Sequence, residues 1–142
     1  MAIIEWNPAF SMGAPALDGQ HRRLIELAND ILLAVRSGKE PRRIAACFSK
    51  IREHTVYHFA DEEEFMRTVG YPEWKAHALE HENLRKLVRH HQDKLFREGT
   101  VREKDIMAFL KALLVDHVIY SDLGVKRYLV DRNIQNSEAP AA

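Results

Sequence analysis

Two pairs of residues stand four apart in this chain, His58 with Glu62 and His77 with His81. Four residues along an α-helix turn a side chain by only about 40°, so each pair can aim two metal-binding groups at one point. His21 lies upstream of these pairs, and His117 and Asp122 follow downstream. Each falls on the apolar side of its own segment. Five imidazoles and two carboxylates can therefore meet in a buried place, where unpaired ionised groups are strongly disfavoured. Cations between them would satisfy the whole set. Imidazole and carboxylate without thiolate suit iron or manganese better than a structural zinc. A single histidine on an apolar face is more often a hydrogen-bonded core residue, but that reading fails for five that converge with two carboxylates.

The elements that must position these groups are helices. Asp18 is the expected N-cap of the first, followed by Leu24, Ile25, Leu27, Ile31, Leu32 and Val35 at helical spacing. Ser37-Gly38 ends it, and Pro41 opens a second helix that carries Ile44, Phe48, Ile51, Thr55, His58, Glu62 and Phe65 on one face as far as Val69-Gly70. Pro72 opens the third, whose inward candidates are Trp74, His77, His81, Leu84, Leu87, Val88, His91 and Leu95; Gly99-Thr100 breaks it. The fourth begins near Glu103 and carries Ile106, Phe109, Leu110, Leu113, Leu114 and His117. Short links force neighbours to run antiparallel. The fold class expected is all-α, an up-down-up-down four-helix bundle with an N-terminal extended arm. The boundaries expected are an arm over 1–17, a bundle over 18–132 and a disordered tail over 133–142, all in one domain. Ile3, Ile4, Trp6 and Phe10 suit an arm that packs against the bundle.

The spacing from His117 to Asp122 conflicts with a regular α-helix. Five residues advance about 500°, which leaves the two side chains about 140° apart. Either the helix widens into a π-type turn, or it ends near Tyr120 and the chain swings Asp122 inward. The first is expected, because Val125, Tyr128 and Leu129 continue at near-helical spacing and π-bulges concentrate at functional sites. Gly124 makes backbone irregularity less costly there.

Composition excludes several classes. The chain has 142 residues, is 46% hydrophobic and carries 21 basic and 21 acidic residues, so the formal net charge is zero. Nucleic acid is not an expected partner, because phosphate binding needs concentrated positive charge. Cys47 is the single cysteine and cannot form an internal disulfide; packing in the core is its expected role. No secretory leader or membrane span is visible, and a reduced cytoplasmic setting is expected.

The run His58-Phe59-Ala60-Asp61-Glu62-Glu63, then Met66, Tyr71-Pro72 and His77-x-x-x-His81, resembles the hemerythrin domain family, in its bacteriohemerythrin branch. So do Asp18-Gly19-Gln20-His21 upstream and His117-x-x-x-x-Asp122 downstream. The resemblance runs from about Trp6 to Tyr128. It implies a non-haem centre of two iron ions (Fe2+/Fe3+) with an oxo or hydroxo bridge. It places His77, His81 and His117 on one iron, His21 and His58 on the other, and Glu62 and Asp122 between them. The first iron is then six-coordinate and the second five-coordinate, which leaves one position open for reversible dioxygen binding. The family's oxygen pocket corresponds to Leu24, Leu113, Leu114 and Val118. No proton donor stands in that group, so binding is favoured over oxidation chemistry.

Two departures from the family pattern stand out. His54 lies one turn before His58, where tyrosine is common, and is expected to be a hydrogen-bond partner behind a ligand. Leu113 stands where tryptophan usually precedes His117, which enlarges or reshapes the pocket. His90 reads as a surface residue and His91 as a packed one. Glu63 and Glu64 read as solvated, while Phe65, Met66 and Trp74 read as core.

The function expected is oxygen storage, transport or delivery, with an oxygen-consuming enzyme as recipient and no enzymatic activity of its own. An oxygen or redox sensor that signals through a partner protein is the alternative. A ferritin-like di-iron enzyme would carry paired Glu-x-x-His motifs, which this chain lacks.

Overall fold

A computed structural model describes residues 4–132. Ile3 and the expected tail, 133–142, lie outside the described residues. The helices are α1 (Pro15–Arg36), α2 (Pro41–Thr68), α3 (Trp74–Glu98) and a fourth rod of three parts. That rod is α4 (Glu103–Leu110), a π-helix (Lys111–Ser121) and α5 (Asp122–Asp131). No strand occurs among the described residues. In the up-down-up-down arrangement α1 packs on α2 and α4, α2 on α3, and α3 on the π-helix, so the four rods close a ring. Pro15 and Pro41 each sit in the first helical turn, where a missing N–H is harmless. Gly99 terminates α3 at φ 73°, in the left-handed region that glycine enters without steric cost.

The expectation that Asp18 caps α1 is not met. The helix opens earlier, at Pro15, and the Asp18 N–H already donates to the Ala14 carbonyl at 2.8 Å. Its carboxylate instead accepts from Ser11 Oγ at 2.6 Å and from the Met12 N–H at 2.9 Å. Asp18 thus ties the arm to the helix rather than starting it. The arm packs as expected: Ile4 and Trp6 lie against the core and Phe10 is buried in it. It is not extended throughout, because Pro8–Phe10 form a 3-10 turn capped by Asn7. Asn29 exchanges two hydrogen bonds of 2.8 Å with the backbone of Ile4.

Apolar burial falls into two clusters. The larger holds Leu24, Ile31, Phe48, Ile51, Phe59, Leu84, Ile106, Phe109 and Val118 among others. The smaller holds Met12, Ala14, Leu17, Phe65, Met66, Val125 and Leu129. Each fully buried side chain of this size contributes about 1.5–3 kcal/mol. Along α1 the order is Leu17, His21, Leu24; along α2 it is Phe59, Glu62, Phe65. The chemistry-bearing residues therefore form a polar layer between two apolar ones. The Tyr128 hydroxyl, 2.9 Å from the Val69 carbonyl and 3.0 Å from that of Gly70, ties α5 to the end of α2 across the smaller cluster.

Candidate metal centre

All seven expected residues meet in that layer, none more than 3% exposed. The donor atoms of Glu62, His77, His81 and His117 lie within 4.8 Å of one another, and so do those of His21, His58 and Glu62. Each carboxylate divides its oxygens between the two groups. Glu62 Oε1 lies 2.8 Å from His77 Nε2, 2.9 Å from His81 Nε2 and 3.5 Å from His117 Nε2. Its Oε2 faces His58 Nε2 at 3.3 Å and His21 Nε2 at 3.5 Å. Asp122 repeats the division, with Oδ1 2.8 Å from His77 and Oδ2 3.2 Å from His21. The result is two donor sets, one of three imidazoles and one of two, sharing two carboxylates.

The outward faces of four rings fix their tautomers. Nδ1 of His21 meets the Phe10 carbonyl at 2.7 Å, and Nδ1 of His81 meets Glu63 Oε2 at 2.7 Å. Nδ1 of His117 meets Glu80 Oε1 at 3.3 Å. Nδ1 of His58 meets Gln20 Oε1 at 2.6 Å, and the amide's orientation follows because its Nε2 donates to the Asp61 carboxylate at 2.8 Å. Carbonyls and carboxylates only accept, so each Nδ1 carries the proton. Each neutral ring then turns the Nε2 lone pair into the layer. That is how metal-binding histidines are held.

Charge tells the same story. Burial opposes charge on His21 and His77, but Asp122 and Glu62 outweigh it and push both up to about 10. His117 rises to about 9, where burial is overcome by Asp122, Glu62 and Glu80. Burial also resists ionisation of Glu62, yet the surrounding imidazoles hold it well below the usual carboxylate range. For His58 burial wins and its value falls. The carboxylates thus demand positive charge inside the layer. Protons alone leave His21 Nε2, His58 Nε2, Glu62 Oε2 and both Asp122 oxygens buried without hydrogen-bond partners. Orphaned buried polar atoms are costly. Bonds of about 2.1 Å set neighbouring octahedral donors about 3 Å apart, and the donor separations here fit that spacing. The residues present fit two cations that prefer nitrogen and oxygen, as iron does.

The fourth rod meets the geometric demand of His117 and Asp122 by widening. The Asp122 N–H donates to the His117 carbonyl, a bond from residue i to i−5, and the helix resumes beyond it. The wide stretch spans 11 residues rather than a single turn.

The other expectations divide. His54 is buried but has no nitrogen to spare: Nε2 donates to the Gln20 carbonyl at 2.8 Å, so Nδ1 accepts from the Tyr57 hydroxyl at 2.8 Å. It stacks on His58 at 5.9 Å and braces Gln20, the residue that orients His58. Burial pushes it down to about 4, so it stays neutral. His90 is exposed, and His91 is buried against Phe48 and Phe109. Phe65 and Met66 are buried in the smaller cluster, and Trp74 packs on it half-buried. Leu24, Leu113, Leu114 and Val118 are all buried in the larger cluster. Cys47 is a free, half-buried thiol beside that cluster.

Glu63 corrects the reading of a solvated residue, because it holds His81 and is only 19% exposed; Glu64 is exposed as expected. The sequence reading also missed Glu80, Gln20 and the wall formed by Phe59. That ring stacks on His81 with centroids 4.0 Å apart and meets His117 edge-on at 5.7 Å. Gln20, a polar residue directly before His21, carried the one legible signal.

Comparison with known proteins agrees with this geometry. The family model described as the hemerythrin HHE cation binding domain matches residues 12–126. Bacteriohemerythrin of Stenotrophomonas maltophilia is 30% identical over 118 residues, spanning 83% of this chain and 76% of its own length. Bacteriohemerythrin of Pseudomonas aeruginosa is 30% identical over 124 residues, 87% of this chain and 80% of its own. That of Ralstonia nicotianae is 27% identical over the full length of both chains. A crystal structure of wild-type hemerythrin, 24% identical, shares the fold with a TM-score of 0.77 over 89% of this chain and 95% of its own.

Proposed function

The chain belongs to the hemerythrin HHE cation-binding domain family, and on that premise we propose that it binds dioxygen reversibly at a non-haem two-iron centre. His77, His81 and His117 would hold one iron and His21 and His58 the other, with Glu62 and Asp122 shared between the two. When bound, the iron pair would supply the electrons that dioxygen binding draws on, and the side with two imidazoles, which offers one donor fewer, would be the side left to dioxygen. The observation that carries this reading is the inward aim of the imidazoles: the pinned Nδ1 protons turn the Nε2 atoms toward two shared carboxylates, and those of His21 and His58 are left buried without a hydrogen-bond partner.

The chain's own residues do the rest. Phe10, Gln20, Glu63 and Glu80 orient the imidazoles. Leu24, Leu113, Leu114 and Val118 wall the open side, exclude water and offer no dissociable proton. A site with that lining holds its ligand rather than transforming it, so the role is storage, transport or delivery in the cytoplasm, with an oxygen-consuming enzyme as recipient. Among the described residues no helix is long and apolar enough to cross a membrane.

The test is a metal assay followed by cycles of anaerobic reduction and exposure to air. Two irons per chain, and a visible charge-transfer band that appears in air and vanishes under argon through repeated cycles, are expected. One zinc and no iron would refute the centre. Irreversible bleaching would refute reversible binding.

A further inference from the structure

The two donor sets differ in what stands behind them. On the three-imidazole side, His81 and His117 give their Nδ1 protons to carboxylates, Glu63 and Glu80. On the two-imidazole side, His21 and His58 give theirs to neutral oxygens, the Phe10 carbonyl and the Gln20 amide. A carboxylate behind an imidazole raises its basicity as a ligand, and negative charge near a metal favours the higher oxidation state. A neutral carbonyl does far less of either. We propose that Glu63 and Glu80 set the order of oxidation in the pair: the three-imidazole iron loses its electron first, and the iron with the open position is kept ferrous longer. This rests on the two-iron reading above.

Glu63 and Glu80 are positioning residues, since they act through His81 and His117. Their weights are unequal. Glu63 is 19% exposed and bonds at 2.7 Å, whereas Glu80 is 47% exposed, bonds at 3.3 Å and also accepts from Ser121 Oγ. Solvent screens the second charge more, so Glu63 dominates.

The experiment is a spectroelectrochemical titration of the iron-loaded, oxygen-free protein, with iron counted in the same samples. Each one-electron step passes its electron from one iron to the electrode, and no bond breaks. Glu63→Gln keeps an acceptor oxygen for His81 and removes only the charge. It is expected to raise the lower-potential step by a tenfold change in the ferric-to-ferrous ratio or more, about 59 mV, and to leave the upper step in place. Glu80→Gln should move the same step less. Gln20→Glu combined with Asp61→Asn, which keeps a hydrogen bond between the two positions, should lower the upper step alone.

Equal shifts of both steps, or none, in variants that retain two irons would overturn the proposal. If Glu63→Gln does not load iron, the Gln20→Glu/Asp61→Asn protein decides the matter by itself. A wild-type chain that takes up no iron fails the two-iron reading instead, and the iron count separates the two failures.

Discussion

His91 and His77 are both buried on α3, yet their surroundings drive them in opposite directions. His91 lies in the larger apolar cluster between Phe48 and Phe109, and burial lowers its affinity for a proton. His77 lies in the polar layer, where Asp122 and Glu62 overcome burial and push it up to about 10. The two regions solve different problems. Around His91, contact among apolar side chains suffices, and one unpaired Nδ1 is tolerated. Around His77, five imidazole nitrogens and four carboxylate oxygens face one another and need a charge that the chain does not itself contain. One region is stabilised by what it excludes; the other requires something to be admitted.

That contrast is open to attack, and the strongest attack is metal removal. Reduction and chelation at neutral pH should lower the melting temperature sharply, because binding free energy at such a site is also folding free energy. Hydrogen exchange should localise the damage: amides at 58–65, 77–81 and 117–122 lose protection, while those at 24–32, 44–51 and 106–110 keep it. Uniform loss of protection would show that the layer and the core are one cooperative unit.

The converse perturbation is Phe48→Ala, which removes a fully buried ring from the apolar side. It should cost about 3–5 kcal/mol in loaded and metal-free protein alike. Iron stoichiometry, measured by metal assay, should stay at two per chain. A drop in stoichiometry would erase the distinction between the regions.

The smallest effect concerns the far edge of the layer. A Cβ at Gly124 would meet the Tyr71 hydroxyl at 2.7 Å. Gly124→Ala gains about 1 kcal/mol of helix propensity but must displace that hydroxyl, so stability should change by less than about 1 kcal/mol. In a Tyr71→Phe background the same substitution should recover about 0.5–1 kcal/mol in denaturant unfolding. Equal responses in both backgrounds would show that close approach is not why glycine stands there.

The seven inward residues were legible because helical spacing of four places them on faces already marked by Leu24, Phe65, Leu84 and Leu113. The five-residue gap from His117 to Asp122 carried the widened helix as well, since no regular α-helix brings both inward. What spacing could not carry was the layer behind the imidazoles. Glu63 sits in a run of three glutamates, and nothing local says that α3 comes close enough for it, unlike Glu64, to reach His81. Glu80 and the Phe10 carbonyl depend likewise on how separate segments dock. Asp18 misled because a good capping residue stood near a plausible start, while its carboxylate was engaged by the arm. Gly124 suggests backbone freedom in the sequence, whereas the structure gives it no positive φ and presses Tyr71 against it instead.

The wide helix from Lys111 to Ser121 also makes the chain sensitive to a kind of change that has nothing to do with side-chain chemistry. Deleting one residue between Lys111 and Asp116 would let the segment close as an ordinary α-helix, with better hydrogen bonds and every ligand still present. Asp122 would then follow His117 by five residues on a regular helix and stand about 140° from it around the axis. Asp122 would leave the layer, and Val125 and Leu129 would leave the cluster they fill. In this stretch the number of residues sets a phase, much as a reading frame does. A deletion that tidied the backbone would therefore do more harm than most substitutions.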